Sequence, residues 1–216
     1  MRNWLSRIWK DNKSLILFIL LMSVFRSAVA DWNTVPTGSM KPTILEGDRI
    51  LVNKMAYDLR VPFTHLSIYR MSEPQRGDIV VFDSRATNNK LVKRVVGIPG
   101  DIVELRNNSL IINGRILDYQ TMEVAAETLD RSEDLLGIKH GVRVSKSGSA
   151  FSSFRAVVVP ADRYLVLGDN RDNSADSRVI GFVPRTEIVG RSRSVVMSFN
   201  YENFYIPRSD RFFHVL

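Results

Sequence analysis

Beyond residue 32, the apolar positions follow a period of two, as in strands whose side chains alternate between the two faces of a sheet. Short runs rich in valine and isoleucine recur between glycine, proline, asparagine and aspartate. The pattern indicates a mainly β fold built on antiparallel sheet. The runs predict strands at Arg49–Val52, Asp78–Phe82, Leu91–Val96, Ile102–Leu105, Leu110–Ile112, Ala156–Val159, Tyr164–Leu167 and Ile188–Phe199.

Two dipeptides predict the turns between strands. Asn113-Gly114 is typical of a type I′ hairpin, and Pro99-Gly100 suits the central positions of a type II turn. After the N-terminus, the best helix candidate is Thr121–Leu136. The stretch 104–154 differs in character, with a hairpin, a charged segment and a Ser/Gly-rich run, so we predict a small β subdomain inserted at 104–154 in a catalytic core of 32–103 and 155–216.

The first thirty residues have a different pattern. Leu15–Phe25 is uncharged and apolar, Trp4 and Trp9 precede it, and Trp32 follows it, as in interfacial aromatic belts. These features predict a cytoplasmic basic segment at 1–13 and a transmembrane anchor at 14–31. A cleaved secretory signal ending at Ala28-Val29-Ala30 is the main alternative, and a buried soluble helix is another. In the first two cases the residues after Asp31 are exported.

The composition excludes several classes of protein and several kinds of site. The chain has 216 residues, 44% of them hydrophobic and 25% charged, which excludes wholesale disorder. It has no cysteine, which excludes disulfides, thiolate metal sites and a cysteine nucleophile. The net charge of +7 suits an anionic lipid surface or nucleic acid. Aromatic and basic residues are not interleaved, however, so we expect no nucleic-acid partner.

Histidine is also scarce. His65, His140 and His214 are scattered without metal-ligand spacing or a motif-like context, so we expect surface or strand positions for them, no metal site and no cofactor.

A turn that begins four residues after Asp31 presents a serine. In Val35-Pro36-Thr37-Gly38-Ser39-Met40-Lys41-Pro42-Thr43, two prolines bracket a Thr-Gly-Ser turn in which glycine permits close approach of a ligand. Ser39 could act as a nucleophile and its amide could help to bind an oxyanion. Taken alone, this segment is better explained as an ordinary loop that leaves the membrane.

Lys93 is the candidate base for such a serine. By strand alternation it shares a sheet face with Leu91 and Val95, and poor solvation there favours the neutral amine. A free lysine titrates near 10.4, so lowering its pKa by about 3 makes roughly a quarter of the amine neutral at pH 7. The alternative is an edge-strand lysine that guards against aggregation.

The run Gly168–Arg178 follows an apolar strand and is rich in aspartate, asparagine, serine and arginine. Such a loop can orient a buried amine through a hydroxyl and pair arginine with aspartate. Calcium binding is the alternative, although two arginines in the loop oppose a cation.

Taken together, these segments resemble the type I signal peptidases of bacteria. Residues 36–43 are similar to the family's serine box, 76–82 to its central strand box, 93–101 to its lysine box and 168–178 to its terminal box. The resemblance implies Ser39 as nucleophile and Lys93 as general base. It also implies an oxyanion site from the Ser39 amide and the Thr37 hydroxyl, and Ser174 as the residue that orients Lys93.

The same resemblance implies supporting residues. Asp176 would pair with Arg178 and Arg94 in a structural ionic cluster. Small side chains of the substrate, at positions −1 and −3 from the cleavage site, would enter apolar pockets lined by Val35, Met40 and Val92. Two positions depart from the family pattern, since Thr37 replaces a common serine and Leu91 replaces a frequent aromatic residue.

The implied function is a monomeric serine endopeptidase, anchored in the inner membrane, that removes signal peptides from exported preproteins after small-x-small motifs. Its partners would be preproteins and the phospholipid bilayer, with the N-terminus in the cytoplasm and the catalytic domain on the periplasmic face. The alternatives are a specialised paralogue that matures one secreted substrate or pilin, and a non-catalytic anchored module that binds anionic lipid.

Overall fold

The structure is a computed structural model that describes residues 2–64, 66–201 and 203–216, with side chains given at Trp9 and from Asn12 onward. The prediction for His65 and that for the Trp4 side chain therefore lie outside the described residues. The chain begins with helix α1 (Arg2–Ala28), and a short helix α2 spans Ser177–Ile180. All the remaining regular structure in the described residues consists of strands and single 3-10 turns.

Seventeen strands are present in the described residues. They are β1 (Ala30–Thr34), β2 (Asp48–Asn53), β3 (Asp58–Arg60), β4 (Ser67–Arg70), β5 (Ile79–Ser84), β6 (Asn89–Gly97), β7 (Ile102–Arg106), β8 (Ser109–Ile112), β9 (Arg115–Ile116), β10 (Asp118–Val124), β11 (Thr128–Asp134), β12 (Lys139–Ser145), β13 (Phe154–Val158), β14 (Arg163–Leu167), β15 (Val183–Pro184), β16 (Ile188–Asn200) and β17 (Ile206–Pro207).

The largest sheet carries the candidate catalytic residues. Its strand order is β1-β2-β16-β5-β6-β14-β15, with β17 on the far end of β16, and every pairing in it is antiparallel. The described residues form three further sheets, β10-β11-β12, β13-β7-β8-β9 and β3-β4. The predicted mainly β, antiparallel fold class is confirmed.

Each predicted strand is present, with ends that differ by one or two residues. The Asn113-Gly114 hairpin is also confirmed, because both residues have positive φ and Ile112 pairs with Arg115 across them. At Pro99-Gly100, Gly100 has a φ of +90° and the Asp101 amide donates to the Ile98 carbonyl, as in a type II turn.

The helix predicted at Thr121–Leu136 is wrong. These residues form most of β10 and β11, which pair with each other, while β12 pairs with the other edge of β11. Buried acidic side chains on β11 meet arginines from outside the segment: Asp130 binds Arg143, and Glu133 binds Arg171. Long-range pairing of this kind outweighs local helix propensity.

The inserted segment predicted at 104–154 contains the whole β10-β11-β12 sheet. The β13-β7-β8-β9 sheet crosses both predicted boundaries, since β7 starts at Ile102 and β13 ends at Val158. The boundaries of the insertion stay a prediction.

The central strands of the main sheet are buried on both faces. On β5, Ile79 and Val81 pack in one apolar cluster while Val80 and Phe82 pack in another. The first cluster also contains Val35 and Met40, which flank Ser39. A side chain on β6, which pairs with β5, therefore enters an environment with little water.

Helix α1 leaves its apolar side chains largely exposed, including Leu17, Phe18 and Leu21. Within the part of the chain that is described, no helix has both the length and the apolar character needed to cross a membrane.

Candidate active site

Ser39 lies on a 3-10 turn, Gly38–Met40, that follows strand β1. Met40 beside it is completely buried, and the Ser39 side chain is half-buried. Asn170 holds the turn from the other side, because its backbone N–H donates to the Ser39 carbonyl over 3.1 Å and its side-chain Nδ2 donates to the Gly38 carbonyl over 3.0 Å. The apolar core and one asparagine thus fix the backbone that carries the hydroxyl.

Lys93 reaches this hydroxyl from strand β6. Its Nζ lies 2.8 Å from Ser39 Oγ and 3.0 Å from the Val92 carbonyl oxygen. The residue pairs in register with Val80 on β5, and it is only 3% exposed. The structure thus brings together the two residues that the sequence proposed as nucleophile and base.

The electrostatic environment favours loss of the lysine proton. Burial lowers the pKa of Lys93 from 10.5 to about 8, even though Asp176 and Asp169 raise it and only Arg178 assists the lowering. About a tenth of the amine is then neutral at pH 7, and about half at pH 8. The lowered pKa agrees with the sequence-based expectation for a poorly solvated amine.

The structure does not form the predicted hydrogen bond between Ser174 and Lys93. Ser174 is 9% exposed, and its Oγ has no hydrogen-bond partner among the described residues. It lies beside Gly168, where an added Cβ would be 2.2 Å from Ser174 Oγ and 2.5 Å from the Ser39 carbonyl oxygen. Ser174 is therefore near the serine turn, and Gly168 is required because this packing leaves no room for a side chain.

The predicted ionic cluster is split into two pairs. Asp176 binds Arg178 as expected, with its Oδ2 2.7 Å from Nη2. Arg94 instead makes a two-pronged bond to Asp169, with distances of 2.9 Å and 2.8 Å. The pairing predicted between Asp176 and Arg94 is therefore wrong, since Asp169 is the buried carboxylate that the Arg94 guanidinium reaches.

Asp169 is the centre of a larger buried network that the sequence did not predict. Burial alone would raise the pKa of Asp169, but Arg94 holds it below its usual range. Thr43, four residues after Ser39, donates its hydroxyl to Asp169 over 2.6 Å. His140 on β12 lies between Glu133, at 3.3 Å, and Asp169, at 3.9 Å. The network ties the serine segment and the β10-β11-β12 sheet to one loop.

Asn170 and Thr43 were missed as site residues. Both lie inside segments that the sequence singled out, but asparagine and threonine are common in loops and their partners are more than 120 positions away.

Of the predicted histidine positions, His140 lies on a strand and His214 on the surface, as expected. The calcium reading of Gly168–Arg178 loses its main support, because Arg94 and Arg178 bind its two most buried carboxylates.

A groove of about 530 Å³ opens beside the Ser39–Lys93 pair. Strand β1 with the serine turn lines one side, and the first half of β6 lines the other. Val35, Met40 and Val92, which the sequence placed in substrate pockets, all contribute to its wall. Thr37 also lines the groove, is exposed, and makes no capping hydrogen bond to the 3-10 turn.

The groove has unpaired strand edges on both sides. Strand β1 pairs with β2 alone, and β14 pairs with β6 only from Arg94 onward, which leaves the edge at Asn89–Lys93 without a partner in the described residues. An extended peptide could form backbone hydrogen bonds to either edge, and its carbonyls would then pass the Ser39 hydroxyl.

The chain is similar to known proteins over most of its length. The chain matches the family described as "Signal peptidase, peptidase S26" over residues 8–197. It is 38% identical over 204 residues to a signal peptidase I of Pseudomonas fluorescens, covering 85% of this chain and 69% of the relative. It is 33% identical over 193 residues to a signal peptidase I of Bacillus amyloliquefaciens, covering 89% of this chain and 86% of the relative.

A solved structure is also similar in sequence. The crystal structure of a signal peptidase I from Enterococcus faecalis is 30% identical and covers 56% of this chain and 97% of the solved one, with a TM-score of 0.37 that is too low to support an argument about the fold. The family match spans most of the chain, and the resemblance first seen in four short segments is thereby confirmed. The chain belongs to the signal peptidase family, peptidase S26, and is a hydrolase that acts on peptide bonds.

Proposed function

We propose that this chain removes N-terminal signal peptides from exported preproteins, with Ser39 as nucleophile and Lys93 as general base. The observation that carries the proposal is the 2.8 Å distance between Ser39 Oγ and a lysine amine that is 3% exposed. Nucleophile and base within hydrogen-bond reach of each other are the minimum geometry for covalent catalysis by serine. The relatives named signal peptidase I supply the substrate class.

In the first half of the reaction, the neutral Lys93 amine accepts the Ser39 hydroxyl proton as Oγ attacks the carbonyl carbon of the scissile bond. The tetrahedral intermediate then collapses, the C–N bond breaks, and the protonated amine gives its proton to the leaving nitrogen. In the second half, Lys93 takes a proton from water as the water oxygen attacks the carbonyl carbon of the acyl-Ser39 ester, the C–Oγ bond then breaks, and Lys93 returns the proton to Ser39 Oγ. Lysine is thus base and acid in turn.

We assign the developing oxyanion to the Ser39 amide and the Thr37 hydroxyl. The support is the position of Thr37 on the groove wall, where its hydroxyl caps nothing. A preorganised donor of this kind is worth about 10² to 10³ in rate. Ser174 is 9% exposed with an unpartnered hydroxyl beside the serine turn. Its role would be to accept a hydrogen bond from the Lys93 amine once Ser39 Oγ has bonded to the substrate carbonyl carbon and no longer accepts from that amine.

Substrate preference would follow from the shape of the groove wall. Val35 and Met40 are buried and Val92 is half-buried, so the wall is apolar and offers shallow space. Small side chains at the −1 and −3 positions fit such a wall, whereas large ones would need cavities that the packed core does not contain.

The direct test is cleavage of preproteins by the full-length, detergent-solubilised chain. We expect cleavage after small-x-small motifs, and no cleavage when the −1 residue of the preprotein is changed to leucine. A panel of unrelated preproteins separates a general enzyme from a specialised paralogue, since the latter would process a single member. Absence of cleavage in every preprotein, from a folded sample, would refute the assignment.

We expect kcat/KM to rise with pH through an apparent pKa near 8. The active form of Lys93 is the neutral amine, whose population grows as pH increases past the lowered pKa of about 8. Initial rates measured from pH 6 to pH 10 check this. A rise centred near 10.4, the ordinary value for lysine, would show that the working amine is solvated.

We further propose that the chain acts as a monomer attached to the bacterial inner membrane through α1, with its N-terminus in the cytoplasm and the catalytic sheets on the periplasmic face. The exposed apolar side chains of α1, such as Leu17 and Leu21, support attachment, and the family relatives support the compartment. Full-length chain should stay in the membrane fraction after alkaline carbonate washing. The double substitution Leu17→Glu/Leu21→Glu should release it, while Ile116→Glu/Val124→Glu, at two equally exposed apolar positions outside α1, should not.

A further inference from the structure

A second cavity, with a volume of about 440 Å³, lies away from the groove and shares none of its described lining residues. We name it the basic pocket. Its walls come from the segment after the serine turn, the turn before β5, the start of β12, strand β16 and the last residues of the chain. It therefore lies where the β10-β11-β12 sheet meets the main sheet, as shown by Ile138, whose Cδ1 would be 2.7 Å from a Cβ on Gly77.

Positive charge dominates the described part of this lining. The cationic side chains are Arg76, Arg94, Lys139, Arg193 and Arg211, and the acidic side chain is Asp78. The Asp78 carboxylate already has partners outside the pocket lining, because its oxygens accept hydrogen bonds from the Tyr57 hydroxyl, the Gln75 amide and Arg191. The pocket therefore contains no available carboxylate side chain among the described residues.

Two of the cations have no ion pair among the described residues. Arg76, Arg94 and Arg211 are each bound to an aspartate outside the pocket lining. Lys139, at the start of β12, and Arg193, on β16, are exposed and unpaired. They approach the pocket from two different sheets, and neither has a carboxylate within salt-bridge distance among the described residues, although Asp134 lies opposite Lys139 in the register of β11 and β12.

A buried, unpartnered hydroxyl adds an independent observation. Ser192 lines the pocket next to Arg193 and is only 2% exposed, yet its Oγ has no hydrogen-bond partner among the described residues. Buried hydroxyls without a partner are rare, because a lost hydrogen bond is costly, and a bound ligand or water can supply the missing partner. A hydroxyl beside two free cations is a donor set for an oxyanion.

The remaining wall is apolar, with Ile79, Met122 and Ile138 among the contributors. The volume falls in the range of small-molecule sites, about 300–1,000 Å³, and exceeds what a bare phosphate ion needs. We propose that the basic pocket binds a phosphate-bearing organic molecule. The phosphate would bind Lys139, Arg193 and the Ser192 hydroxyl, and the organic part would lie on the apolar wall. This chemistry fits both a free phosphoester and a phospholipid headgroup.

Calorimetric titration of the full-length chain in detergent tests the site, with glycerol 3-phosphate and monomeric dihexanoyl phosphatidylglycerol as probes at one fixed ionic strength. We expect saturable binding of at least one probe. The double substitution Lys139→Gln/Arg193→Gln should weaken it by about tenfold or more, because two charge-assisted hydrogen bonds are lost. Ser192→Ala should weaken it severalfold and leave the fold intact, since it removes only an unpartnered oxygen.

Arg115→Gln/Arg155→Gln is the matched control, because it removes two exposed arginines that carry no ion pair among the described residues and lie outside the basic pocket. Loss of affinity for glycerol 3-phosphate alone would assign the site to a free phosphoester, and loss for the lipid as well would extend it to headgroups. The proposal is overturned if neither probe binds saturably, or if the control pair loses as much affinity as the pocket pair.

Discussion

Replacing Lys93 by methionine should abolish peptide-bond hydrolysis while leaving the protein at least as stable as the wild type. We expect kcat/KM to fall by about 10³ or more, since the serine then has no base to take its proton. Stability should not fall, because methionine fits a site that is 3% exposed and the buried ammonium disappears. With the pKa of Lys93 lowered to about 8, that ammonium costs about 3 kcal/mol at pH 7.

The pH dependence of stability provides a second readout. Between about pH 8 and 10.5, the unfolded wild-type chain holds a proton on Lys93 that the folded chain has lost, so wild-type stability should rise with pH across this window. Lys93→Met should lack that rise. Denaturant unfolding at pH 7 and pH 9.5 measures it.

Two comparisons complete the experiment on the Ser39–Lys93 pair. Lys146→Met, which replaces an exposed lysine that does not line the groove, should retain activity. Ser39→Ala should lose as much activity as Lys93→Met, and the double variant should lose no more than either single one, because residues that act as a unit are not additive. Substantial activity in Lys93→Met would show that another group removes the serine proton.

Replacing Asp169 by alanine should be among the most destabilising single changes in the described chain, at about 3–5 kcal/mol. It leaves the Arg94 guanidinium, which is 4% exposed, without its buried counter-charge, and it leaves the Thr43 hydroxyl without its 2.6 Å acceptor. Activity should fall as well, because Asp169 helps to position the serine turn. Its carboxylate accepts from Thr43, which follows that turn, and the next residue, Asn170, donates to the turn's carbonyls. Unfolding in urea, followed by circular dichroism, gives the change in free energy.

The matched control is Asp83→Ala, which removes an exposed aspartate paired with Lys90 and should change stability by less than about 1 kcal/mol. The double substitution Arg94→Met/Asp169→Leu should recover much of the lost stability, since it removes the unpaired charge together with its partner. If Asp169→Ala were no more destabilising than Asp83→Ala, the buried Arg94–Asp169 pair would not stabilise the fold as proposed.

The strand framework could be predicted because alternation of side chains is a local property. Within Leu91–Val96, the geometric alternation of a strand places Lys93 on one face with Leu91 and Val95, so its poor solvation could be inferred before its neighbours on other strands were known. The turn residues Asn113 and Gly114 likewise specify a hairpin by backbone preference alone. In each case the information lies within a few consecutive residues.

The pairings in the terminal loop could not be predicted in the same way. Between Gly168 and Arg178 there are three aspartates, and Arg94 could have met any of them. Chain geometry decides that it meets Asp169, with Asp176 left to Arg178. Thr121–Leu136 failed for a related reason, because its burial of Asp130 and Glu133 depends on arginines that come later in the chain.

The strand order of the main sheet also bears on the biosynthesis of the enzyme. Strand β16 lies between β2, which follows the serine turn, and β5, which pairs with the lysine strand. On the ribosome, Ser39 and Lys93 both emerge well before residues 188–200, which form the strand between their two parts of the sheet. We therefore expect a nascent chain to bring Ser39 and Lys93 together only after β16 has been synthesised.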